Sequence, residues 1–202
     1  MVQTSSRLPK LSLELPENLS LTVSQAQFDE LVIANRDLQL ERTAEGVLIV
    51  NPPTGWETGE RNFSLAVELG IWLRSSGIEG KAFDSSTGFI LPNGATRSPD
   101  ISWISQARWA SLSDEQKSTF ASVCPEFVIE LRSSSDRLKP IQEKMQEYID
   151  NGAKLGWLIN PQNRQVEIYR NGLPVEILDA PSELSGEQVL PGFVLNPNLI
   201  WS

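Results

Sequence analysis

The chain has 202 residues, 26 of them Asp or Glu against 17 Lys or Arg, giving a formal net charge of −9, and it contains no histidine. That composition excludes imidazole bases, Ser-His-Asp and Cys-His arrangements and histidine-held zinc, and the acid excess argues against coating nucleic acid through bulk charge. With 40% hydrophobic residues and a single cysteine, Cys124, it reads as one globular domain of a reducing compartment; the polar start and the lack of a long apolar run lead us to expect a soluble, cytoplasmic protein without a membrane segment.

Residues 1–20, which include Pro9 and Pro16, read as an irregular arm, and 21–202 as a single domain. Ser24 and Gln27 form a capping box ahead of Phe28, Leu31 and Val32, predicting a short amphipathic helix. Segments 38–42 and 47–51 flank Ala44-Glu45-Gly46 and read as a β-hairpin. After the Pro52-Pro53-Thr54-Gly55 break, Phe63, Ala66, Val67, Gly70, Ile71 and Leu73 recur at helical spacing until Ser75-Ser76-Gly77 stops them. Segments 81–85, 88–91 and 100–104 read as a meander punctuated by Pro92-Asn93-Gly94, and 105–120, with a capping box from Ser113 to Gln116, as a helical insertion.

Phe127, Val128, Ile129 and Leu131 make 126–132 nearly continuous in apolar character, the pattern of a central strand covered on both faces. Ser133 to Asp136 offer helix N-caps, Pro140 suits a first turn, and Leu138, Ile141, Met145, Tyr148 and Ile149 form an apolar stripe that ends at Asn151-Gly152. Segments 155–160, 165–170, 174–178 and 188–195 read as further strands.

Residues 57–160 therefore run helix, three strands, helix, strand, with 81–91 counted as one hairpin-like strand and 105–120 as an insertion. Pro99-Asp100 opens one strand, Glu130-Leu131-Arg132 ends the central one, and Lys144 lies on the helix that follows. This αβββαβ order is that of the PD-(D/E)XK nuclease superfamily. The stretch RSPDISWIS…PEFVIELRSSSDRLKPIQEKMQEYIDNGAKLGWLINPQNRQVEIYR, with ERTAEGVLIVNPPTG before it and LSGEQVLPGF after it, resembles the Uma-two family of restriction endonucleases from about Ser24 to the C-terminus. The resemblance implies an α/β (α+β) fold: a restriction-endonuclease-like core with a mixed central sheet, an N-terminal helix and hairpin, and extra C-terminal strands.

It also implies a metal-dependent endodeoxyribonuclease acting on DNA, commonly as a homodimer because a duplex has two strands to cut. Phosphodiester hydrolysis wants a hard cation, magnesium or alternatively manganese, held by a few oxygens with water left in its shell. Asp100 and Glu130 would supply carboxylates and Leu131 its backbone carbonyl. An acid from the preceding helix often joins such sites; Glu57, Glu60 and Glu68 are the options, with Glu68, beside Val67, carried forward as a metal ligand. The superfamily's motif lysine is replaced by Arg132, which can contact phosphate but cannot serve as a base. The resembling family carries its lysine on the following helix, four residues before a tyrosine, which points to Lys144 and Tyr148 and to a water-orienting, charge-stabilising role for Lys144.

Each residue has a plainer reading. Asp100 after proline suits a turn, Lys144 a solvated helix face, and Glu130 a salt bridge to Arg132 or Lys144. Ser133 to Ser135 have no histidine base and read as caps, and Cys124 reads as a small buried hydrophobe. The alternative to a nuclease is a catalytically silent binding or regulatory module on the same fold. A nuclease of this charge needs its positive residues gathered at the site, around Arg97, Arg132, Arg137, Lys139 and Lys144.

Overall fold

The computed structural model describes residues 20–201. The expected arm over residues 1–20 lies, apart from Ser20, outside the described residues. Helix α1 (Gln25–Ala34) starts at Ser24, whose hydroxyl accepts from the Gln27 amide while the Gln27 side chain accepts from the Ser24 amide, as the capping box predicts. Strands β1 (Gln39–Arg42) and β2 (Leu48–Asn51) form the expected antiparallel hairpin. Helix α2 (Trp56–Ser76) ends where Gly77 takes φ 71°, a left-handed conformation that glycine adopts at no steric cost.

Strands β3 (Gly80–Asp84), β4 (Phe89–Ile90), β5 (Thr96–Arg97) and β6 (Ile101–Ser105) follow, then the insertion as two short helices, α3 (Gln106–Ser111) and α4 (Asp114–Ser118). Strand β7 (Phe127–Leu131) leads to α5 (Leu138–Asp150), β8 (Leu155–Asn160), β9 (Gln165–Arg170), β10 (Glu176–Asp179), β11 (Leu184–Ser185), β12 (Val194–Leu195) and α6 (Asn198–Trp201). The expected caps of α5 do not cap it: Arg137 is the N-cap residue, and Asp136 instead accepts from the Ser133 amide within the preceding turn.

The central sheet has the order β10-β9-β8-β7-β6-β3 and is mixed, with β7 and β8 parallel and the other pairs antiparallel. The expected meander is corrected on one point. β3 pairs directly with β6, while β4 and β5 leave to join the N-terminal hairpin in a second sheet, β2-β1-β5-β4. The Pro92-Asn93-Gly94 turn lies inside that second sheet, so the 81–91 segment is two strands in two sheets.

All five residues of β7 are buried, and their alternation sets the site. Phe127, Ile129 and Leu131 face the core shared with Leu65 and Leu69 of α2 and with the C-terminal strands. Val128 faces the other core, with Met145, Tyr148 and Ile149 of α5, and Glu130 shares that face. Helix α5 seats closely there because β8 carries Gly156, where a Cβ would lie 2.5 Å from the Met145 methyl carbon. No helix among the described residues is long and apolar enough to cross a membrane.

Candidate active site

The second sheet, the start of α2, the ends of β6 and β7 and the outer side of α5 enclose a cleft of about 1430 Å³. Asp100, Glu130, Leu131 and Lys144 all line it. Asp100 precedes β6, which pairs with β7, so its carboxylate comes to the C-terminal end of β7: Oδ2 accepts from the Leu131 amide at 2.8 Å and Oδ1 from Asn62 Nδ2 at 3.0 Å. Glu130 Oε1 lies 2.8 Å from Lys144 Nζ and accepts from the Tyr148 hydroxyl at 3.1 Å. Lys144 and Tyr148, one helical turn apart, thus meet the same carboxylate.

Lys144 is held from a third side by a residue the sequence reading did not select. Glu41 of β1 accepts from Lys144 Nζ at 2.8 Å and from the Ser98 amide at 3.0 Å through Oε1, and its Oε2 meets Arg97 at 3.3 Å. Arg97 in turn holds Glu147 at 2.6 Å. The result is a buried chain of alternating charge running Glu130, Lys144, Glu41, Arg97, Glu147. In a Leu40-Glu41 alternation one side chain is read as buried and the other as solvated. Both are buried, Leu40 in the cluster with Val23 and Phe28 and Glu41 against Lys144 and Arg97. Glu147 was findable, three residues beyond Lys144 on the same helix flank.

The electrostatics follow from this company. Burial raises the Glu130 carboxyl, and Asp100 and Glu41 add to it against the pull of Lys144, leaving it pushed up to about 8. Burial also raises Asp100, more than the Leu131 amide, Lys144 and Asn62 lower it. Burial alone would drive the Lys144 ammonium down, but Glu130 and Glu41 outweigh it and hold the group above the usual lysine range. Glu41 runs the other way: burial raises it, and Lys144 with Arg97 overcome that and lower it. Lys144 is therefore a fixed cation and a poor proton acceptor.

The other predicted residues fall elsewhere. Glu68 does not line the cleft; the α2 residue on Asp100 is Asn62, a neutral amide six positions earlier. Arg132 donates to the Asp136 carbonyl at 3.0 Å and to Asn160 at 3.3 Å, and it does not line the cleft. Of the expected gathering of positive charge, Arg97 and Lys144 line the cleft, and Arg132, Arg137 and Lys139 do not. Arg97 and Lys144 are bound between carboxylates, and Lys139 pairs loosely with Glu143 on an exposed face. Nine acidic residues against three basic ones line the cleft, so its field repels a bare phosphate.

A hard divalent cation suits this donor set. Asp100 and Glu130 are both raised by burial without a sufficient counter-charge, each Asp100 oxygen keeps a lone pair beyond its present bond, the Lys144 and Tyr148 contacts of Glu130 both fall on Oε1 and leave Oε2 to a ligand, and buried Asn62 Oδ1 has no hydrogen-bond partner among the described residues. Among the described residues no cluster of three or more acidic or thiol side chains could hold a metal. The remaining oxygens would be the Leu131 carbonyl, the Asn62 amide and water.

Residues 25–198 match the sequence profile of Uma2, the Uma-two family, described as "Putative restriction endonuclease". The chain belongs to the Uma2 family. A solved structure from Anabaena variabilis ATCC 29413, titled as that of "a putative nuclease belonging to DUF820", superposes on this Uma2 chain with a TM-score of 0.67 at 20% identity, covering 80% of this chain and 89% of that one. At that identity the likeness bears on fold, and the fold is the mixed α/β arrangement described above. Comparison with curated proteins returns no match.

Proposed function

We propose that this Uma2 chain is a divalent-metal-dependent endonuclease that hydrolyses phosphodiester bonds of DNA. The observation that carries the reading is the meeting, at the C-terminal end of β7, of Asp100 with the Glu130–Lys144 pair inside an open cleft. Asp100, Glu130 and the Leu131 carbonyl would hold magnesium or manganese, with Asn62 in the place where an acid was expected. When bound, such a cation compensates charge on phosphoryl oxygens and lowers the pKa of a water molecule. In this acid-lined cleft the cation is also what admits phosphate.

The chain's own residues do the rest. Lys144, kept as an ammonium by Glu41 and Glu130, orients the attacking water and offsets charge in the transition state, a role that needs no deprotonation. Tyr148 fixes the free rotation of the Glu130 carboxylate from below. Glu41 acts through Lys144 and is a positioning residue. Plasmid DNA incubated with the protein and magnesium or manganese tests the reading: nicking that requires the metal and is lost in Asp100→Ala supports it, and calorimetry showing no metal binding to the wild-type chain sinks it.

One observation favours a second reading, a silent binding module. Both carboxylates already have hydrogen-bonded partners, and the cleft carries excess negative charge. Metal binding without cleavage of any nucleic acid, single-stranded or duplex, would select it.

A further inference from the structure

Helix α2 is amphipathic on its inner side, where Leu65 and Leu69 are buried, but its outer side is not polar. Trp56 is 96% exposed, Phe63 70%, Ile71 49% and Val67 36%, and these four fall on one stripe together with exposed Glu60 and Arg74. Their steps of three or four residues keep them on one face of the helix. Aromatic side chains alone carry roughly 150–250 Å² each, so the stripe offers on the order of 500 Å² of apolar surface. That matches the largest patches on monomers, and two such stripes clear the roughly 1,000 Å² expected of a specific interface.

The order of residues along the stripe says what covers it. Phe63 and Ile71 lie four residues to either side of Val67, and Glu60 and Arg74 lie seven to either side. From Glu60 to Arg74 the stripe is thus self-complementary when reversed, while Trp56, eleven residues before Val67, falls opposite position 78, just past the end of the mate's α2. An antiparallel copy of the same helix, related by a two-fold axis through Val67, sets Phe63 against Ile71 of its mate and Glu60 against Arg74, twice over. Arg74 has no side-chain partner among the described residues, and Glu60 is bonded only by the Ser64 hydroxyl. We propose that the occupant is a second copy of this chain, and that the protein is a two-fold dimer paired through α2. The pairing stands apart from the nuclease reading: Glu60, Phe63, Val67, Ile71 and Arg74 do not line the cleft, and only Trp56, at the start of α2, reaches its rim.

Sedimentation of the whole chain at micromolar concentration should give a species of twice the chain mass. Val67→Glu, which puts two carboxylates on the axis, should weaken dimerisation by at least ~100-fold with an unchanged circular dichroism spectrum. Glu60→Arg and Arg74→Glu should each weaken it by ~10-fold, and the double exchange should restore it. Because Cys124 is buried, Val67→Cys gives one accessible thiol, which should form an intermolecular disulfide under mild oxidation. A monomer at all concentrations, a dimer indifferent to Val67→Glu, or a double exchange that fails to rescue would overturn the proposal. So would a chain that dimerises only after residues 1–19 are removed, since its own N-terminal segment would then be the cover.

Discussion

Strand β7 is bracketed by two glutamates four residues apart, and they have opposite fates. Glu126 and Glu130 are almost equally inaccessible, at 5% and 7% exposure. Burial raises both, yet Glu126 ends below the usual carboxylate range and Glu130 well above it. At Glu126 the Ser105 amide donates at 2.6 Å, Lys154 lies at 3.0 Å and Arg108 at 3.7 Å, so donors and cations outnumber acids. At Glu130 one ammonium is shared with Glu41, and Asp100 stands close by. Burial weighs most on both carboxylates; what separates them is that neighbouring acids add to it at Glu130, whereas donors and cations overcome it at Glu126. Glu126 is the structural alternative that the sequence allowed for Glu130, realised at the other end of the same strand.

The sharpest way to break the comparison is to remove the cation at each end. Lys144→Met leaves Glu130 buried without its counter-charge and Glu41 with Arg97 alone, and should cost about 3–5 kcal/mol in urea unfolding. Next comes catalysis. Glu130→Gln should lower metal-dependent DNA cleavage by at least ~100-fold, roughly 2.7 kcal/mol, while Glu126→Gln leaves it within about twofold; equal losses would dissolve the distinction between the two sites.

Glu126→Gln should instead cost ~1–2 kcal/mol of stability at pH 7. Since the folded pKa of Glu126 lies below its unfolded value near 4.5, its contribution is present above that pH and disappears as pH falls through the folded value. Thermal melts of wild type and Glu126→Gln should therefore draw together as pH is lowered from 4.5 through the folded value. Smallest of all, Lys154→Met should cost less than ~1 kcal/mol, because the Lys154 side chain is 58% exposed and solvent screens the pair.

Much of the fold was legible because its signals are local. The capping boxes at Ser24 and Ser113, the Gly77 stop and the five-residue apolar run of β7 each need only their neighbours. The approach of Asp100 to Glu130 was legible too, since both stand at the ends of strands that must lie side by side in the αβββαβ order. Glu41 was not, because its place depends on β4 and β5 leaving the central sheet to join the hairpin, and strand patterns do not say which sheet a strand joins. The same event set Arg97, named in the expected gathering of positive charge, between the carboxylates of Glu41 and Glu147. Helical spacing likewise offered Glu68 and passed over Asn62, whose amide gives no charge signal to a sequence reading.

The Glu41–Lys144 contact joins residues 103 apart. Closing so long a loop is a late, entropically slow event in folding. During synthesis the hairpin that carries Glu41 leaves the ribosome well before helix α5 exists. Until that helix is made, Glu41 lacks Lys144 and Arg97 lacks Glu147, and the cleft has no wall on that side. The cleft is therefore complete only after about three-quarters of the chain has been translated.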